Sequence, residues 1–173
     1  MTRILAVVAL LCTTLALPSA AGEAEALSRA MTQMKSGDWG AARDAAGSEG
    51  SVPYDIIEWH RLRAGRGTAA EVIGFLTRRP DWPGLDWLRR KSEQAIAAAG
   101  HDTVLDFFRD SPPETPEGVL AHATALIARG QKGDGEAELV VAWRTMPMGR
   151  LIQANYLRQH KELLAPHHNA RLD

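Results

Sequence analysis

Residues 78–93, Arg78-Arg79-Pro80-Asp81-Trp82-Pro83-Gly84-Leu85-Asp86-Trp87-Leu88-Arg89-Arg90-Lys91-Ser92-Glu93, decide the reading of the fold. Pro80 has no amide hydrogen and disfavours helix in the residue before it, so a helix must stop there. Trp82 supplies a large apolar anchor at the break, Pro83-Gly84 turns the chain, and Leu85 and Leu88 restart an apolar stripe at helical spacing. Two helices joined by so short a turn lie antiparallel, and a bulky anchor between them fixes their angle.

Working outward, the same logic recurs in both directions. Helix-forming Ala, Leu, Arg and Glu abound, and no run alternates apolar and polar residues as a half-buried strand would. Helices are expected at about 24–36, 38–47, 53–64, 69–79, 84–99, 103–110, 117–129, 134–145 and 149–164. Thr68-Ala69-Ala70-Glu71 reads as a capping box, and Thr115-Pro116-Glu117 as an N-cap, a pre-set φ and an acidic first turn. Gly37, Gly65, Gly100 and Gly130 follow helical runs and suit the left-handed position after a helix. Their spacing of about 30 residues is that of stacked helix hairpins.

Around these glycines a loose pattern returns, with apolar residues before the turn and Ala42, Ala70 or Ala137 after it, where a small side chain lets two helices approach closely. The expected stripes are Ala69, Val72, Ile73 and Leu76; Leu85, Leu88, Ser92, Ala95, Ile96 and Ala99; and Ala137, Val140 and Val141. Each is one face wide and needs neighbouring helices to cover it. The expected fold is all-α, a superhelical stack of antiparallel helix hairpins, an α-solenoid of degenerate tetratricopeptide-like character.

The N-terminus has a different grammar. Arg3 precedes a run of apolar and small residues, Ile4 to Leu17, which is too short for a membrane span and suits the core of a secretory leader. Pro18 breaks it, and Ser19-Ala20-Ala21 offers the small residues a signal peptidase reads, so residues 1–21 are expected to be a signal peptide cleaved after Ala21. Residues 22–173 would then form the helical domain, placed in the periplasm with no stable membrane insertion. Cys12 is the single cysteine, so the mature chain would carry no thiol, disulfide or cysteine metal site. Loss of Arg3 takes 20 basic residues to 19 against 21 acidic ones, a net charge of −2. That balance has no basic footprint for nucleic acid.

No catalytic, cofactor-binding or metal-ligating residue is assigned. His160, His167 and His168 lack the i, i+4 spacing that sets two imidazoles on one helix face, and His60 and His122 read as packed or surface residues. Asp55 and Glu58, three apart, could serve a glycosidic bond as acid and base, but read more simply as complements to a helix dipole. Gly65-Arg66-Gly67 lacks the strand and spacing of a phosphate loop. Three basic clusters, Arg61/Arg63/Arg66, Arg78/Arg79 and Arg89/Arg90/Lys91, interleave with Trp59, Trp82 and Trp87. They could line a groove for an anionic polymer such as a glycan strand carrying peptide carboxylates; alternatively, the tryptophans pack between hairpins while the arginines meet local acids.

The 78–93 segment resembles the signature between helices in the N-terminal superhelical, U-shaped domain of soluble lytic murein transglycosylases. Asp38-Trp39 with Ala42, Glu58-Trp59 with Leu62-Arg63 and Gly65, Pro112-Pro113 with Thr115 and Gly118, Gly130 with Ala137, and Trp143-Arg144 resemble the same family in the same order. The resemblance spans about Glu23 to Asp173. It implies a module of an enzyme that cleaves peptidoglycan glycan strands without hydrolysis or a cofactor. Its partners would be those strands or periplasmic cell-wall proteins. In the family a downstream lysozyme-like domain carries the catalytic glutamic acid within Glu-Ser and Gly-Leu-Met-Gln elements; this sequence has neither. Asn169-Ala170-Arg171-Leu172-Asp173 resembles the start of a further family helix, so a truncated chain is expected, non-catalytic by itself and prone to associate through its open end. The alternative is a stand-alone helical-repeat adaptor for other proteins.

Overall fold

A computed structural model describes residues 20–170. The leader-like features (Arg3, Ile4 to Leu17, Cys12, Pro18-Ser19) and the terminal Arg171-Leu172-Asp173 lie outside the described residues, whereas the expected cut after Ala21 falls in the first turn of the first helix. The described residues are all-α and contain no strand: α1 (Ala20–Lys35), α2 (Trp39–Ala46), α3 (Val52–Arg63), α4 (Ala69–Arg78), α5 (Leu85–Ile96), α6 (His101–Phe108), α7 (Pro116–Ala128), α8 (Lys132–Thr145), α9 (Arg150–Leu164), then a 3-10 helix, Ala165–Ala170. None of these helices is long and apolar enough to cross a membrane.

The ends of the helices follow side-chain chemistry. Thr68 and Glu71 form the capping box, each accepting a hydrogen bond from the other's backbone amide. Thr115 caps α7 with Pro116 in its first turn, and Asp38 and Ser51 cap α2 and α3. Gly37, Gly65 and Gly130 hold the left-handed conformation after α1, α3 and α7. Gly100 does not: its φ of −69° is extended and it precedes α6, because Ala97-Ala98-Ala99 already turns the chain after α5.

Packing follows a simple order. Each helix packs on the next, and the odd-numbered helices also pack on each other in series, α1 on α3, α3 on α5, α5 on α7 and α7 on α9. The even-numbered helices make no comparable contact with one another. Apolar burial is divided accordingly. Ala30, Ala42, Ala46, Tyr54 and Ile57 form a first cluster. Leu62, Val72, Phe75, Leu88, Ile96, Val104, Phe107, Phe108 and Ala125 form the second, and Val119, Leu120, Ala123, Leu139, Ala142, Trp143, Ile152, Tyr156 and Leu164 the third. Helices α3 and α7 each contribute to two clusters, Tyr54 and Ile57 against Leu62 on α3, and Ala123 against Ala125 on α7, so each shares its buried surface between two neighbours.

Two sequence expectations are corrected here. Ala42 is fully buried against α1, but Ala70 and Ala137 are exposed. The close approach of α8 to α7 is made by Gly135, where an added Cβ would lie 2.6 Å from the Ala123 carbonyl oxygen and 2.8 Å from Ile127 Cγ1. The stripe of α8 is likewise Gly135, Leu139, Ala142 and Trp143; Val141 faces solvent because the side opposite the α7 contact has no neighbour to cover it.

Gly135→Ala should therefore destabilise the protein by about 2 kcal/mol, the cost of forcing atoms into a filled contact. Gly74→Ala in mid-α4, where a Cβ meets nothing within 4 Å, should stabilise it by about 1 kcal/mol through helix propensity. Urea unfolding of both variants checks the pair, and equal shifts would refute the assignment of Gly135 to the contact.

Candidate functional site

The corner built by residues 78–93 is where the chemistry of the chain converges. Trp59 on α3 donates its indole N–H to the Pro83 carbonyl at 2.9 Å, which ties α3 to the turn before α5. Gly84 begins α5 in the left-handed conformation, φ 67°, and the Arg63 guanidinium lies about 4 Å from where its Cβ would stand. Trp82 packs edge-on against Phe75, with the Arg79 guanidinium 5.3 Å from its ring centre. The tryptophans thus brace neighbouring helices.

Beneath this corner lie buried carboxylates. Asp55 is fully buried; it accepts from Arg78 Nε at 3.1 Å and Nη2 at 3.0 Å, and from Arg79 Nε at 2.6 Å. Arg78 also reaches Glu49, and Arg79 donates to the Gly50 carbonyl, so the end of α4 is bound to α3 and to the loop before it. Glu58, one turn along α3, receives Arg61 Nε at 2.9 Å and Nη2 at 2.6 Å, with Arg43 of α2 at 3.6 Å. Arg61 and Arg43 both reach on to Glu71 of α4, at 2.8 and 3.2 Å. The Arg43 guanidinium is raised further above its usual range mainly by donating to the Tyr54 hydroxyl, at 2.7 Å.

Asp55 and Glu58 are therefore more than dipole complements: they are charge hubs joining α2, α3 and α4, and arginines enclose both. Burial works against the charge of Glu71, but the Thr68 amide and the Arg61 guanidinium outweigh it and hold its pKa near 2. Burial likewise opposes the charge of Arg61, and Glu58 and Glu71 raise its pKa despite it.

Glu93, also buried, works differently. Its carboxylate accepts from the Glu114 and Thr115 amides, each at 2.8 Å, and from the Thr115 hydroxyl at 2.5 Å, so α5 holds the start of α7. Burial raises its pKa, against the pull of those hydrogen bonds. Gly118 is required beside it, because a Cβ there would come within 2.1 Å of Glu93 Oε2.

Two surfaces remain on either side of α5. On one, Arg63 Cζ lies 4.3 Å from the Trp59 ring centre and Lys91 Nζ 4.7 Å from that of Trp87. Trp87 is 46% exposed, and neither Arg63, Arg66 nor Lys91 has a carboxylate within 4 Å among the described residues. On the other, Leu85, Asp86 and Arg89 face a groove of about 780 Å³ between α4 and α6. Its apolar lining comes from Ile73, Leu76, Trp82, Leu85 and Phe107, its acidic lining from Asp81, Asp86, Asp106 and Asp110. Arg89 is the single cation lining it, and its guanidinium is engaged with the Phe107 carbonyl and ring.

The three basic clusters, which could have lined one groove or met local acids, are thus separated by the fold. Arg61, Arg78 and Arg79 are consumed by the buried acids, Arg89 turns to the acidic groove, and Arg63 and Lys91 remain on the tryptophan face. The histidines are scattered. His122 bonds Glu138 at 2.9 Å, and His60 lies edge-on to Trp59 with its pKa lowered by burial and then by Arg63. His160 sits at a kink in α9, its pKa lowered by burial despite Glu136, while His168 meets Trp143 edge-on. Among the described residues no group of three or more His, Cys, Asp or Glu side chains is placed to hold a metal ion. The sequence pattern missed Glu93 and the acidic groove. The polar position Glu93, within a buried stripe beside Ser92, was the available signal for the first.

Replacing Asp55 by Ala should cost about 3 kcal/mol, because two arginines lose the buried acid they converge on. The folded pKa of Glu71 is depressed below its unfolded value of about 4.3. Its stabilising contribution is thus complete above that pH and disappears as pH falls toward about 2. Melting temperatures measured across that window should drop for the native protein and vary less for Glu71→Gln; parallel profiles would contradict the network. No family model, curated protein or solved structure matches the chain.

Proposed function

We propose that this chain is a periplasmic superhelical module of a peptidoglycan lytic transglycosylase, non-catalytic by itself, that supports and binds glycan strands. The serial packing of odd-numbered helices supports a superhelical stack, since it is the order in which hairpins cover one another's stripes. Trp82, Pro83 and Gly84 of the segment that resembles this family all serve the α4–α5 corner and its tie to α3, as a scaffold signature should.

The observation that carries the binding role is the tryptophan face. The exposed Trp87 offers an apolar plane for a sugar ring, and Lys91 and Arg63, which meet no carboxylate among the described residues, offer positive charge for the acidic groups of a peptide-bearing glycan. Both candidate acids, Asp55 and Glu58, are enclosed by arginines, which supports a role in holding helices rather than in bond cleavage.

The mature chain should cosediment with purified peptidoglycan sacculi, and Trp87→Ala combined with Lys91→Ala should weaken that association about fivefold. Both substitutions lie on an exposed face, so the fold survives them. Failure to cosediment, or equal binding by the double variant, defeats the binding role; release of soluble 1,6-anhydro fragments by the pure chain defeats the non-catalytic one.

A further inference from the structure

The groove on the far side of α5 has a chemistry of its own. Helices α4 and α6 both pack on α5 and stand as two walls of the groove, with the start of α5 between them. Leu76, Trp82, Leu85 and Phe107 make an apolar floor, partly or wholly buried in the second core cluster and open to the groove. Above it, Asp81 and Asp86 stand at the α4–α5 corner, Asp106 lies on α6, and Asp110 lies two residues past the end of α6. Asp106 pairs with Arg109, whereas Asp81, Asp86 and Asp110 meet no cation within 4 Å among the described residues. The groove's donors are the Thr103 and Ser111 hydroxyls, since Thr77 is bonded to the Ile73 carbonyl and Arg89 to that of Phe107.

An acceptor-rich rim over an apolar floor selects against an anionic glycan and for a cation with an apolar body. We propose that this groove receives an amphipathic helix of a partner protein, its leucine-like face on the floor and its lysines or arginines against Asp81, Asp86 and Asp110. A groove bounded by two helices suits a third, and opposite charge along its edges orients it. This goes beyond the glycan role, uses the other side of α5, and makes the module a meeting point for a second protein.

The test uses the mature chain and a synthetic amphipathic peptide with leucine on one face and lysine on the other, followed by fluorescence anisotropy at low salt. The expected result is saturable binding that weakens with salt and weakens about tenfold in Asp86→Asn combined with Asp110→Asn. A matched charge change elsewhere, Asp134→Asn with Glu162→Gln, should leave the affinity unaltered, as should Trp87→Ala with Lys91→Ala. No binding, equal binding of a peptide with glutamate in place of lysine, or the same loss in the matched control would overturn the proposal. Sacculus binding should be unaffected by the groove variant, so this inference and the glycan role fail separately.

Discussion

The structure depends on buried carboxylates, each of which meets a donor from another segment of the chain. Apolar contact is non-directional, and a stack of single-stripe helices held by it alone could slide or rotate. Asp55 between Arg78 and Arg79, Glu58 between Arg61 and Arg43, and Glu93 on the Glu114 and Thr115 amides just before α7 each restrict the relative placement of two helices. Removing one partner leaves a desolvated charge, so these pairs enforce geometry more firmly than their net contribution to stability suggests. The corner at residues 80–84 is held by the Trp59–Pro83 hydrogen bond and by Gly84 in its left-handed conformation.

From that rigidity comes the division of the surface. Arginines taken into the hubs no longer contribute to any external field. What remains outside is unequal, with a cationic, aromatic face toward α3 and an acidic, apolar-floored groove between α4 and α6. A chain whose positive and negative residues nearly balance overall can therefore present two opposite electrostatic characters within one helix diameter, each suited to a different partner.

The division of the core into three clusters bears on how the chain responds to change. Because α3 and α7 each share their burial between two clusters, damage at Gly135, which packs on α7 beside the third cluster, should reach the first only by way of the second. The α5 corner, in the middle cluster, is buffered from both ends. That is a sensible position for the two surfaces on which binding is proposed.

Much of the architecture was legible in the residues. The Thr68/Glu71 box, Thr115-Pro116, Pro80 and the stripe through Leu88, Ser92 and Ile96 act within one or two turns of chain, where local hydrogen bonding and helical period leave little choice. Gly100, the stripe of α8 and the final 3-10 helix were read less well, since each depends on what a neighbouring segment leaves open. Trp59, Arg61, Arg63 and Arg78 show the limit most clearly. Their types and order along the chain are plain, but whether a guanidinium neutralises a buried acid or covers an indole at the surface is set by residues up to 29 positions away. Sequence determined where helices begin, end and bury a face; the tertiary structure decided which charges remain for a partner, because a charge is removed from the surface only by a counter-charge that folding brings to it.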